Sequence, residues 1–549
     1  MDIVLSIKNI QMKKVSFLLI LWMLVLETVS VSAQQSASLP LQKLQAAELI
    51  VSRFYVDPVN EDRLVETAIV KMLGELDPHS TYTTAEEVRR LTEPLQGEFE
   101  GIGVQFEMVE DTMIVVQPVS DGPSDKAGVL AGDRIIAVND TAVAGVKMQV
   151  DDIMRRLRGP KGSKVHLTLM RPGVKEHIVL PVKRDMVPIF SVDTDYMAGP
   201  QIGYIRINRF AATTYDECIQ ALASLRHAGM KDLILDLQGN GGGYLKAAVD
   251  LANEFLKEGD LIVYTQGRNA KRDEFRAQGN GILKQGRVVI LVDEYTASAS
   301  EVLSGALQDN DRAIVVGRRS FGKGLVQRPF ELPDGSLMRL TVSRYYTPAG
   351  RCIQKPYEGG EGTSSEEKLK NYQEDILKRF QRGELNEADS VHLPDSLRVQ
   401  TLKLGRTVYG GGGIMPDFFV PIDTTGYTPY YRQIAAKGII NQMALTYVND
   451  HRKELQKRYK SFAAFDTAFE VPANLLEKLK QHAETAGVKL NEEEYKASLP
   501  LIRVQLKALV ARSLWRINEY YQVMNAENAS LKRALQLLTN GEYEHILKQ

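Results

Sequence analysis

Between residues 34 and 95 apolar side chains recur at helical spacing. Leu41, Leu44, Ala47, Leu49 and Ile50 form one stripe, and Leu64, Ala68, Ile69 and Met72 form another, which predicts an N-terminal helical region. Asp77-Pro78-His79-Ser80 punctuates it. From 96 to 185 the pattern shortens to apolar alternations bounded by glycines. It predicts strands at 114–116, 135–138, 165–169 and 178–182 and short helices at 123–128 and 150–157, a small β-rich module. From 186 to 427 apolar runs at 203–207, 233–237, 261–264, 288–292 and 314–316 alternate with helical patterns near 215–228, 245–257 and 299–308. That alternation predicts an α/β core. Asp334-Gly335 between apolar runs marks a hairpin. The stretch 358–368, rich in Gly, Ser and Glu, reads as a solvated loop, a flexible insert near 358–370. Four glycines at 410–413 lead into a last apolar run at 414–420. Residues 428–549 are helical in pattern, with long stretches at 432–460 and 491–524. There Ile434, Ile439, Ile440 and Met443, and again Leu501, Val504, Leu506 and Leu509, read as core or as an oligomer contact.

The first 33 residues differ from the rest. Lys13 and Lys14 precede an apolar run of 12 residues, 15–26, and Val31-Ser32-Ala33 offers small residues for cleavage. This predicts a secretory signal peptide over 1–33. The run is shorter than the roughly 20 residues of a comfortable bilayer span, and a retained membrane anchor is the competing reading. The 549 residues, 44% hydrophobic and 25% charged, allow several domains with ordinary cores. A net charge of −1 provides no global field for nucleic acid. Two cysteines and eight scattered histidines form no metal-ligand spacing, so neither metal nor cofactor is expected.

Three segments carry chemistry. In Thr296-Ala297-Ser298-Ala299-Ser300-Glu301 a strand gives way to small residues and then a helix. A serine there meets unpaired N–H groups and the positive end of the helix dipole, where an oxyanion is stabilised; Ser298 and Ser300 both qualify, and either could be a plain helix cap. In Phe321-Gly322-Lys323-Gly324 a constrained glycine turn projects Lys323. Gln327, four residues on, shares its face if the run is a strand. Residues 317–323 also fit the start of a phosphate-binding P-loop, but Gly324 stands where a Ser or Thr is required. In Asp236-Leu237-Gln238-Gly239-Asn240-Gly241-Gly242-Gly243 a strand enters a glycine turn whose bare N–H groups suit an anion.

Together these motifs resemble the C-terminal processing, or tail-specific, peptidase family over roughly residues 40 to 420. The resemblance implies a serine peptidase whose nucleophile is Ser298, whose general base is Lys323 and whose Gln327 supports the lysine. It implies an oxyanion hole of backbone N–H groups from Ala299 and from Gly242 or Gly243. The family's turn usually reads DLRxNPGG; here Gln238 and Gly241 replace the arginine and the proline. Gly101-Ile102-Gly103-Val104 and Leu130-Ala131-Gly132-Asp133 resemble the carboxylate loop and signature of a PDZ domain. Ile102, Gly103 and Val104 are then expected to bind a peptide's C-terminus, and Arg158 to link that event to activity.

The residue pattern and the resemblance together imply a multidomain α/β protein with five parts: a signal peptide (1–33), a helical region (34–95), a PDZ domain (96–185), a peptidase core of crotonase/ClpP type (186–427) and a helical C-terminal region (428–549). Protein C-terminal tails are the expected substrates, with a possible membrane-associated adaptor and a homo-oligomeric state. The expected location is the periplasm or envelope of a Gram-negative bacterium. A non-catalytic peptide-binding scaffold is the alternative, which loss of Ser298, Lys323 or Gln327 would have favoured. If Lys323 is the base, it must be desolvated and free of a carboxylate partner, because only a neutral amine accepts a proton.

Overall fold

Runs of branched apolar residues bury both faces of a central sheet. Its strands, in spatial order, are Val192–Gly199, Ile202–Ile207, Asp232–Asp236, Val288–Val292, Ile314–Gly317 and Phe418–Phe419. The first pair is antiparallel and all later pairs are parallel. Every residue of Val288–Val292 is buried, each contributing about 1.5–3 kcal/mol on leaving water. These coordinates are a computed structural model, which describes residues 38–109, 111–119, 121–357 and 365–547. The leader-like segment 1–33 lies outside the described residues. Among the described residues no helix is long and apolar enough to cross a membrane.

Alternation along the strands divides the sheet into two cores. Ile205, Leu235, Ile290 and Val315 face the helices Thr214–His227, Leu245–Asn253 and Ala299–Asp309. Tyr204, Ile234, Val289 and Ile314 face the opposite way, onto the C-terminal helix Ala529–Thr539. The second layer of the core therefore comes from the last residues of the chain. A second sheet, built on the hairpin Leu325–Glu331 and Leu337–Tyr346 around the Asp334-Gly335 turn, also takes up the short strand Thr81–Thr83. That pairing brings Asp77–Ser80 to the peptidase core.

The β-rich module is a five-strand path, Val104–Val109, Thr112–Pro118, Arg134–Val138, Lys164–Met170 and Ile178–Lys183, packed on the helix Val150–Leu157. Val104–Val109 lies at its edge. Glu98–Gly101 pairs with Asp185–Pro188, joining the module's entry and exit. The C-terminal helices reach this module: Arg512 Nη2 donates to Glu107 Oε1 on the edge strand at 2.7 Å, and Asn449 packs against Gly132.

The chain divides into two units at Glu75, the first of which holds the helices Leu39–Phe54 and Glu61–Gly74. The loop expected at 358–368 falls largely outside the described residues. Its described end differs from the expectation, since Ser365–Gln373 is a helix. Its Glu and Lys residues are good helix formers, and Lys370 and Glu374 face each other one turn apart.

Candidate active site

The strand Val288–Val292 ends in a sharp turn that presents Ser298 at the head of the helix Ala299–Asp309. Ser298 has φ +57°, a left-handed value that costs a side-chain-bearing residue energy and persists only where its surroundings fix it. Three hydroxyls cluster here, and their hydrogen bonds separate them. Thr296 Oγ1 donates to the Leu237 carbonyl at 2.8 Å and Ser300 Oγ to that of Asn240 at 3.1 Å, both fully buried. Ser298 is half-buried, with access to solvent.

Glu301, completely buried, joins the serine segment to the lysine segment. Its Oε2 accepts from Ser298 N at 2.8 Å and from Lys323 N at 2.9 Å. Its Oε1 accepts from Ser320 Oγ at 2.5 Å and from Gly322 N at 2.7 Å. Burial raises the carboxyl's pKa, and these four donors pull it back. Tyr345 adds a second junction, its hydroxyl lying 3.1 Å from the Ser298 carbonyl oxygen and also against that of Lys323. Sequence reasoning missed both residues. Glu301 left a signal, because Ser-x-x-Glu before a helix is the capping-box pattern; Tyr345 left none.

Lys323 sits just ahead of the strand Leu325–Glu331, not on it, and a β-bulge falls at Val326/Gln327. Its Nζ donates to Gln327 Oε1 at 2.9 Å, and Gln327 Nε2 donates to the His79 carbonyl at 2.5 Å. The amide is thus held from both ends, with its oxygen toward the lysine. Burial, then the Arg339 charge, lowers the lysine's pKa, while Glu301 and Asp77 oppose the shift. Among the described residues no carboxylate pairs with the Lys323 ammonium. The Ser298 hydroxyl and Lys323 Nζ are not hydrogen-bonded to each other; they share the same anchors. His79 lies edge-on to Tyr372 with ring centroids 4.7 Å apart. Burial, then the Lys323 charge, lowers the His79 pKa to about 4, so its ring adds no charge beside the amine at neutral pH.

The glycine turn backs directly onto the serine. A Cβ added at Gly242 would lie 2.7 Å from Ser298 Cβ and 2.9 Å from Ala299 N. At Gly243 it would lie 2.0 Å from the Phe210 carbonyl oxygen. The Gly242 N–H donates to Asn240 Oδ1 at 2.8 Å. The Gly243 N–H has no protein acceptor among the described residues, and the Ala299 N–H, first in its helix, has none within the helix.

In the β-rich module Ile102 and Gly103 form the turn into the edge strand that begins at Val104. Their carbonyls accept from Ser124 N at 2.9 Å and Val119 N at 3.0 Å. Gly103 has φ +69° and packs against Pro123 and Val187. Arg158 follows the helix Val150–Leu157, pairs with Glu93 on the preceding helix Ala85–Gln96 and lies 5.0 Å from the Phe99 ring centroid. It is remote from the Ser298–Lys323 cluster in its contacts.

A serine at a strand-to-helix turn, a desolvated lysine and an appended β-rich module with an open edge strand define a serine peptidase carrying a PDZ domain. The comparisons agree. Models for peptidase family S41, for the PDZ domain and for the N-terminal domain of the activating protease CtpB match residues 201–361, 101–182 and 25–87. A domain family of unknown function matches 430–516. The carboxy-terminal processing protease CtpA of Bacillus subtilis is 37% identical over 330 residues, 59% of this chain and 70% of that protein. The carboxyl-terminal-processing protease of Synechocystis is 36% identical over 313 residues, 56% and 72% of the two chains. The solved photosystem II D1 C-terminal processing protease is 34% identical and covers 56% of this chain and 82% of its own, with a TM-score of 0.33. The chain belongs to the carboxy-terminal processing proteases of peptidase family S41.

Proposed function

We propose that the chain is an exported endopeptidase that recognises protein C-terminal tails and cuts them with a Ser298/Lys323 dyad. The observation that carries this reading is the pair of anchors, Glu301 and Tyr345, that fasten both residues to one point while Lys323 stays desolvated and unpaired with acid. Neutral Lys323 takes the Ser298 proton as Oγ attacks the scissile carbonyl carbon. The oxyanion forms against the Ala299 and Gly243 N–H groups. Lys323 then returns the proton to the leaving amine, and the acyl group remains on Ser298. Water, giving its proton to Lys323, attacks that ester; the acid leaves and Ser298 recovers its proton. Gln327 holds the amine without charging it, because an amide oxygen stabilises the ammonium less than a carboxylate does.

The PDZ domain would take the substrate's tail as an added strand along Val104–Val109, with its carboxylate at the Ile102–Gly103 turn. A purified full-length chain and a peptide ending in an apolar residue test the chemistry. Rapid quenching is expected to trap the acyl group on the peptide that contains Ser298, and an acyl group on any other residue counts against it.

The pH profile follows from the Lys323 shift. The base works only when neutral, so kcat/KM falls as pH drops through its pKa, which lies below the ordinary lysine value. Removing the Arg339 cation raises that pKa, so Arg339→Ala is expected to move the acidic limb to higher pH and lower the rate at neutral pH. An unmoved limb would show that the limb does not report Lys323.

Arg158 links the end of the PDZ helix to Glu93, just before the module. Arg158→Ala is expected to lower cleavage of a substrate with a PDZ-binding tail while sparing a short peptide without one. Equal loss on both substrates would remove Arg158 from the coupling.

A further inference from the structure

The oxyanion turn is unusually free by composition. Gly239, Gly241, Gly242 and Gly243 leave Asn240 as the one residue with a side chain between Gln238 and Tyr244, and glycines lose more conformational freedom than other residues when ordered. Outside groups must therefore hold its shape. From within the core, Gly239 N donates to Asp293 Oδ1 at 2.9 Å and Asn240 Nδ2 to the Ile207 carbonyl at 2.9 Å. Arg206 Nη2 donates to the Gln238 carbonyl at 2.9 Å.

Ala297 N and Ser300 Oγ donate to the Asn240 carbonyl at 2.9 and 3.1 Å, and Phe210 N donates to the Gly242 carbonyl at 2.9 Å. A further hold, on the entry to the turn, comes from the far end of the chain. Asn528 Nδ2 donates to Gln238 Oε1 at 2.9 Å, and Gln238 Nε2 donates to Ser530 Oγ at 3.4 Å. Asn528 also caps the helix Ala529–Thr539, its Oδ1 accepting from Leu531 N at 3.1 Å. That helix is not loosely attached. Leu531, Ala534, Leu537 and Leu538 are buried against the sheet, and just beyond it, on the short helix Glu542–Ile546, the Tyr543 hydroxyl accepts from Val288 N at 3.2 Å and donates to its carbonyl at 3.1 Å. A rigid body thus grips the first side chain of the turn.

We propose that the C-terminal helix Ala529–Thr539 is a positioning element of the oxyanion turn, acting through an Asn528–Gln238 clamp. The proposal rests on the reading of the Gly243 N–H as an oxyanion donor. Gln238 and Asn528 are positioning residues that touch no substrate. The clamp sets the path by which the chain leaves the strand Asp232–Asp236, and hence where the Gly243 N–H stands relative to Ser298. An oxyanion donor acts only in the transition state, so a misplaced donor lowers kcat and leaves KM.

The test uses full-length protein. Gln238→Leu removes the acceptor with little change in volume. Asn528→Ser keeps a helix-capping hydroxyl but cannot reach Gln238. Each is expected to lower kcat about tenfold with KM and the thermal midpoint unchanged. The double variant is expected to match Gln238→Leu, because that change already removes the Asn528 contact together with the Ser530 contact and leaves Asn528→Ser nothing further to break. Wild-type kcat in both singles overturns the proposal, and so does a loss that tracks a fall in thermal midpoint and adds up in the double variant. Ser298→Ala in the same assay isolates the underlying reading: persistent cleavage there refutes the dyad, whereas a dead Ser298→Ala beside unaffected clamp variants refutes the clamp alone.

Discussion

Replacing Lys323 with methionine is expected to reduce turnover by about 10⁴-fold or more and to leave the fold intact. Methionine matches the lysine stem in length and removes only the amine. The site already disfavours the ammonium through burial and the Arg339 charge, so losing that group relieves desolvation and orphans a single acceptor, Gln327 Oε1. Stability should change by no more than about 1–2 kcal/mol, while the hydroxyl of Ser298 loses its proton acceptor. His79 cannot substitute in place, since its ring packs on Tyr372 and its hydrogen bond in the site is the one its backbone carbonyl accepts from Gln327. Peptide cleavage and thermal unfolding on the same preparation check both halves. Near-normal turnover in a folded Lys323→Met protein would move the base to another group and end the dyad reading.

Glu301→Gln should cost both stability and activity. Each carboxylate oxygen accepts two hydrogen bonds, one pair from Ser320 and Gly322 and the other from Ser298 and Lys323. A glutamine amide keeps one acceptor and turns an N–H₂ toward two donors. Two buried donors are then orphaned, at about 1–3 kcal/mol each, for a total of about 2–6 kcal/mol in urea or thermal unfolding. The same bonds hold the left-handed backbone at Ser298 and the turn that projects Lys323. Turnover is therefore expected to fall by about 10²-fold or more even where the protein remains folded. A Glu301→Gln protein as stable and active as the parent would show that the carboxylate does not join the two segments.

The strands of the core were legible because buried parallel strands read as unbroken branched apolar runs; 288–292 matches its strand in full and 203–207 and 233–237 are one residue off. Thr81–Thr83, Glu98–Gly101, Val104–Val109 and Asp185–Pro188 went unseen. They are short, half-exposed segments that owe their conformation to the strand beside them. In the site, Ser298 could not be told from Ser300 by local pattern, since both stand before the same helix. Their separation depends on the Asn240 carbonyl, 60 residues away in sequence. The Lys323–Gln327 contact was expected from strand alternation, and the contact forms although the lysine precedes the strand and a bulge intervenes.

By itself the sequence determined where strands and helices alternate, that the chain carries a PDZ-like module, and which short motifs bear chemistry. Those are local properties, set by side-chain period, glycine and the order of residue types. Only the tertiary structure decided that Glu301 and Tyr345 fasten the serine to the lysine, that Asp77–Ser80 joins the site, and that the last helices close the sheet and grip the glycine turn. Apolar periodicity says that a face will be buried but not against what, because burial is non-directional. The partner is chosen by packing and hydrogen bonds between segments that lie hundreds of residues apart along the chain.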